Sequence, residues 1–204
     1  MNANHILVFD SGVGGLSICS AIIQRCPSAH ITYISDNAAF PYGEKTAQQV
    51  ITRASEVIHS AYLKHQPDIV VIACNTASTV VLPSVRAELP IPVVGVVPAI
   101  KPAAQLSQSK TFALIATPGT ISRVYTAKLI AEFAGDCKVI SVGSSELVRA
   151  IERSIHGEPL DESILRDIVA ECNAKDSSQA IDVAILGCTH FPLVCLLYTS
   201  DAAD

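Results

Sequence analysis

The chain has 204 residues, half of them apolar and 16% charged, enough to bury a sizeable core and too apolar for a disordered chain. A net charge of −5, scattered Lys and Arg, five Tyr, five Phe and no Trp offer neither a basic field for phosphates nor a base-stacking platform, which excludes nucleic acid as the expected partner. Met1-Asn2-Ala3-Asn4-His5 has no basic-then-apolar leader, and no apolar run reaches the roughly 18 residues of a membrane span. A soluble, cytoplasmic protein with no membrane contact is expected, and in that compartment its seven cysteines are reduced.

Strands are predicted at His5–Phe9, Ile31–Ser35, Ile69–Ala73, Val93–Val97, Phe112–Ala116, Lys138–Val142 and Val183–Leu186. Helical patterns fall between them, for example over Thr46–His65 and Ile121–Ala134. Alternation of this kind predicts βαβ units, and continuously apolar strands such as Ile69-Val70-Val71-Ile72-Ala73 predict parallel sheets covered on both faces. A boundary is expected near Pro98, giving an α/β lobe over residues 1–97 and a second over 98–194. The last ten residues, Cys195 to Asp204, break the pattern. They read as the translation of a transposon-type sequencing adapter, so the native chain is expected to continue after Val194.

Ligands of open α/β sheets bind at the carboxyl ends of strands, and four short motifs sit there. Phe9-Asp10-Ser11-Gly12-Val13-Gly14-Gly15-Leu16 reads either as an anion-holding turn at a helix start or as an ordinary tight turn. It is not a dinucleotide fingerprint, because Ser17 stands where the third glycine is required. Asp36-Asn37-Ala38-Ala39-Phe40-Pro41-Tyr42-Gly43 reads as a loop that either covers a ligand or is structural. Cys74-Asn75-Thr76 and Cys188-Thr189-His190 each follow an apolar strand, where a nearby helix N-terminus is expected to lower a thiol's pKa. Cys19, Cys26, Cys137 and Cys172 read as small core hydrophobes. Rival readings of the pair are a metal site built from Cys74, Cys188, His190 and Asp10, or a single nucleophilic cysteine with His190 as base.

Taken in order, these motifs, together with Gly95-Val96-Val97-Pro98-Ala99 and Ala116-Thr117-Pro118-Gly119-Thr120, resemble the glutamate racemase family within the aspartate/glutamate racemase superfamily. The resemblance covers residues 6–194 and implies two pseudo-twofold-related α/β lobes with mainly parallel sheets and the active site between them. It implies cofactor-independent interconversion of L- and D-glutamate, serving peptidoglycan synthesis, with no metal. Cys74 and Cys188 would be the opposed bases, Cys74 acting on D-glutamate and Cys188 on L-glutamate, assisted by Asp10 and His190. Substrate contacts would come from Asp10, Ser11, Tyr42, Gly43, Asn75, Thr76, Thr117, Thr120, Thr189 and His190. Glu152 falls near an acidic position of the family and reads either as an assisting group or as a solvated helix residue. Homodimers are common in the family. Alternatives are a racemase for aspartate or another amino acid, and a two-lobed binding protein that has lost catalysis.

Overall fold

The computed structural model describes residues 5–175 and 180–194; the tail expected at 195–204 lies outside the described residues. Its strands are β1 (His5–Asp10), β2 (His30–Ser35), β3 (Ile69–Ile72), β4 (Val93–Gly95), β5 (Thr111–Ala116), β6 (Lys138–Gly143) and β7 (Val183–Gly187). The helices are α1 (Leu16–Arg25), α2 (Ala47–His65), α3 (Asn75–Glu88), α4 (Ile100–Leu106), α5 (Pro118–Ile121), α6 (Val124–Phe133), α7 (Ser145–Ile155) and α8 (Ser163–Lys175). Two short 3-10 turns, Asn37–Ala39 and Tyr42–Glu44, occupy the loop between β2 and α2. None of the described helices is long and apolar enough to cross a membrane.

The strands form two parallel sheets, ordered β2-β1-β3-β4 and β6-β5-β7. The most continuously apolar strands take the interior places: Leu7, Val8 and Phe9 of β1 and Phe112 and Leu114 of β5 are fully buried. Successive side chains of a strand face opposite ways, so β1 serves two packing layers. Leu7 and Phe9 join Val70 and Ile72 against α2 and α3, whereas Ile6 and Val8 join Ile18 and Ile22 of α1. The second sheet divides likewise. Phe112 and Leu114 pack with α4 and α6, and Ala113 and Val142 with α7 and α8.

The sheets share an order. In each, an interior strand (β1 or β5) lies between the strand that follows it and the next, so β3 corresponds to β7. Cys74 and Cys188 follow these two strands, which gives the faint sequence likeness of the two triplets a topological meaning.

Two expectations need correction. The helix read over Ile121–Ala134 is broken: α5 ends at Ile121, Arg123 is extended, and α6 starts at Val124. The Thr126 hydroxyl donates to the Thr120 carbonyl at 2.7 Å, taking the acceptor that a continuous helix would use. Cys26 is exposed rather than a core residue, because it caps the C-terminus of α1 beyond the helix's buried stripe, and Cys137 is half-buried; Cys19 and Cys172 are buried as expected.

Candidate active site

The carboxyl ends of both sheets meet at one narrow cleft. The first lobe lines it with Ser11, Phe40, Pro41, Tyr42, Gly43, Cys74, Asn75 and Thr76, and the second with Thr117, Val148, Cys188, Thr189 and His190. Strand register explains why hydroxyls stand beside the thiols. Phe9 pairs with Ile72, so two steps further Ser11 comes level with Cys74, their Oγ and Sγ atoms 3.6 Å apart. Ala116 pairs with Gly187, so Thr117 comes level with Cys188. Ser11 and Thr117 are equivalent positions of the two lobes.

Cys74 is the N-cap of α3, its sulfur accepting the Ala77 N–H at 3.5 Å, and only 4% of it is exposed. Cys188 is 7% exposed and lies 3.8 Å from Nδ1 of His190. The other ring nitrogen, Nε2, is 2.6 Å from Glu152 of α7. Glu152 is therefore no solvated helix residue; its carboxylate also accepts the Val13 N–H at 3.4 Å. A thiol, an imidazole and a carboxylate thus stand in a row.

Not every expected contact residue touches the cavity. Asp10 stands behind its wall, accepting the Gly12 N–H at 2.7 Å and the Thr189 hydroxyl at 3.0 Å. Thr120 is also behind the wall, in a ring of three hydroxyls with Thr76 and Thr117 whose oxygens are 2.9–3.1 Å apart. Tyr42 borders the cavity without offering its hydroxyl, which donates to Asp36 at 2.8 Å. Asp36 also takes a two-pronged ion pair from Arg53, and those hydrogen bonds hold its carboxyl below the usual range. The buried Oδ1 of Asn75 has no protein partner, which leaves an acceptor free at the cavity. Among the described residues no group of three His, Cys, Asp or Glu side chains is arranged to hold a metal ion.

Residues 6–201 match the family model described as Asp/Glu/hydantoin racemase. A glutamate racemase of Shewanella loihica is 53% identical over 194 residues, which is 95% of this chain and 71% of the relative.

The chain belongs to the Asp/Glu/hydantoin racemase family, among its glutamate racemases.

A second relative, the glutamate racemase of Sodalis glossinidius, is 46% identical over 93% of this chain, which spans 64% of that protein. Among solved structures, Escherichia coli glutamate racemase in complex with L-glutamate and the activator UDP-MurNAc-Ala superposes with a TM-score of 0.87. That match has 44% identity and covers 94% of this chain and 71% of the other. The two parallel sheets and the cleft between them are thus the two-lobe architecture of the racemases.

Electrostatics in the racemase cleft depart from the sequence expectation. A helix N-terminus was to depress the thiols, but burial, aided by the charge of Asp10, pushes Cys74 up to about 12. The Ala77 N–H and Ser11 pull the other way and lose. Burial likewise pushes Cys188 well above the usual thiol range, against the pull of backbone N–H groups. Burial raises Asp10 to about 6, its rise limited by His190 and the Gly12 N–H. Glu152 is also pushed up by burial, but His190 outweighs this and holds its carboxyl below the usual range. The reason is dielectric: removing a charged sulfur from water outweighs a few hydrogen bonds to it.

Phe40, Pro41 and Val148 are wall residues that were not singled out as site residues. Val148 had a signal, since it lies four residues before Glu152 and so on the same face of α7. Phe40 and Pro41 lay inside the quoted loop motif, which gives their order and not which way they face.

Proposed function

We propose that this chain interconverts L- and D-glutamate without a cofactor, Cys74 and Cys188 acting as bases on opposite faces of the substrate carbon. The observation that carries the reading is that one buried thiol from each lobe lines a single narrow cleft. Inversion needs a proton removed on one side and supplied on the other, and a thiolate opposite a thiol meets that need. Glutamate's Cα–H is a very weak acid. A thiol whose pKa is raised by burial gives, once ionised, a correspondingly strong base.

The row of thiol, imidazole and carboxylate supports a route for the proton of Cys188. An ionised Glu152 holds the hydrogen on Nε2 of His190, leaving the Nδ1 lone pair toward Cys188. On the side of Cys74 the assisting part is assigned to Asp10 from family resemblance, its carboxylate being tied to the Gly12 N–H and the Thr189 hydroxyl behind the wall. The directional assignment, Cys74 deprotonating D-glutamate and Cys188 deprotonating L-glutamate, is proposed from family resemblance. The free Asn75 oxygen suits the substrate ammonium, and the Thr76 and Thr117 hydroxyls, with Ser11 and Gly43, suit its carboxylates. The product would feed peptidoglycan synthesis in the cytoplasm. We place the lobe boundary at Pro98, between the end of β4 and the start of α4.

The test is exchange of the Cα hydrogen in heavy water with each enantiomer, alongside Cys74→Ser and Cys188→Ser. Each variant is expected to lose racemisation by at least about 100-fold, the scale of a general base. Each should also exchange one enantiomer far more slowly than the other. Near-parental racemisation by either variant would overturn the two-base reading.

A further inference from the structure

With both thiols buried and wall residues drawn from both lobes, glutamate cannot enter until the lobes part. What holds them shut is concentrated on one loop. Residues 40–43 of the first lobe form cavity wall, and the next two residues are gripped by the second lobe. Glu44 Oε2 pairs with the Arg149 guanidinium at 2.5 Å. The Lys45 carbonyl accepts from the Arg123 guanidinium at 3.0 Å. Among the described residues Arg123 has no carboxylate partner and its buried Nε makes no hydrogen bond, so its cross-lobe bond is its chief polar attachment. Next to the gripped residues the backbones touch: a Cβ placed on Gly119 would sit 2.6 Å from the Gly43 carbonyl oxygen. The gripping residues are also tied to the wall, as Arg149 follows Val148 and the segment 117–123 runs from wall residue Thr117 to Arg123.

We propose that Arg149 and Arg123 form a closure latch: they seize residues 44–45 when the lobes close and release them for substrate entry and product exit. They act as positioning residues, through the loop that completes the wall, and touch neither substrate nor thiol. The chemistry of the two grips divides the work. The carbonyl bond beside the Gly43–Gly119 contact fixes geometry. The Glu44–Arg149 pair has both side chains more than a third exposed, so it is weak enough to open in each turnover and is screened by salt. A weakened latch lowers the fraction of closed, competent molecules and raises the apparent KM in proportion. Faster opening shifts rate limitation from release toward proton transfer. The inference rests on the racemase reading above.

The experiment uses the full-length chain with protiated and Cα-deuterated glutamate, with Cys74→Ser as a separate control on the racemase reading. In the parent, KM is expected to rise about twofold to fivefold between low salt and 0.5 M NaCl, the range of an exposed ion pair. Glu44→Gln and Arg149→Gln should show that raised KM already at low salt, lose the salt dependence, and give a larger deuterium isotope effect on kcat. Glu44→Arg or Arg149→Glu alone should raise KM further, and the double exchange should restore it to within about twofold, the spread expected of an exposed pair. A salt-independent parental KM, or a double exchange no better than either single one, would sink the latch while leaving the two-thiol chemistry standing. Loss of the racemase reading would show instead as a Cys74→Ser protein as active as its parent. The salt series on the parent needs no variant to fold.

Discussion

Asp10 is fully buried, and its carboxyl holds a proton up to about pH 6 in the folded chain, against 3.8 for a free carboxyl. Between those values the folded state binds more proton than the unfolded one, so this group's contribution to stability falls as pH rises from about 4 to about 6 and stays low above that. Asp10→Asn removes the penalty and keeps both partners: an amide oxygen accepts from Gly12, and an amide N–H donates to a turned Thr189 hydroxyl. The variant is expected to gain about 1–3 kcal/mol at pH 8 and almost nothing at pH 4, while losing most racemisation. Urea unfolding at the two pH values checks this, and a variant no more stable at pH 8 than its parent would refute it. The sequence showed Asp10 and both cysteines as letters at strand ends. It did not show their ionisation, because the burial that raises all three comes from the opposing lobe and from packing between elements. Glu152 was ambiguous for the same reason: only the docking of α7 against residue 190 makes it a partner of the imidazole.

Helix α2 shows how far local chemistry reaches. Thr46 and Gln49 form a capping box, each side chain satisfying the other's backbone N–H, at 3.2 and 2.9 Å. About two turns on from the cap, Arg53 projects to Asp36 and so fixes the loop that carries Tyr42. Thr46→Ala is expected to lower stability by about 1 kcal/mol. Because that cap stands next to the gripped residues 44–45, the loss should also appear as faster amide exchange over 42–49 than elsewhere. Uniform acceleration across the chain would count against the local reading. The strands were legible because parallel strands covered on both faces must be apolar throughout, and runs such as Val70 to Ala73 are. The division of Ile121–Ala134 into α5 and α6 was not. Its apolar spacing suits one helix, and what breaks it is a single hydroxyl-to-carbonyl bond.

On the scale of the whole molecule, the two sheets point their carboxyl ends at one another, and close contacts at glycines allow it. A Cβ on Gly14 would lie 2.5 Å from Nδ1 of His190 and 2.6 Å from the Thr189 hydroxyl, so the first turn of one lobe lies directly on the Cys-Thr-His triplet of the other. The sequence held both halves of this arrangement, the glycine-rich turn and the Cys-Thr-His triplet, but not their contact, which joins residues some 175 positions apart. Burial of the thiol pair has a kinetic consequence. Cys26 lies open to solvent, whereas Cys74 and Cys188 are sealed in the cleft. An alkylating reagent should modify Cys26 at a rate that grows with its concentration. Its attack on the cleft pair should instead level off at the rate at which the lobes separate. Mass spectrometry of labelled peptides over a reagent series would read that plateau, and continued growth at high reagent would show the cleft to be permanently open. The same sulfurs proposed to move protons would then serve as a stopwatch for the breathing of the enzyme.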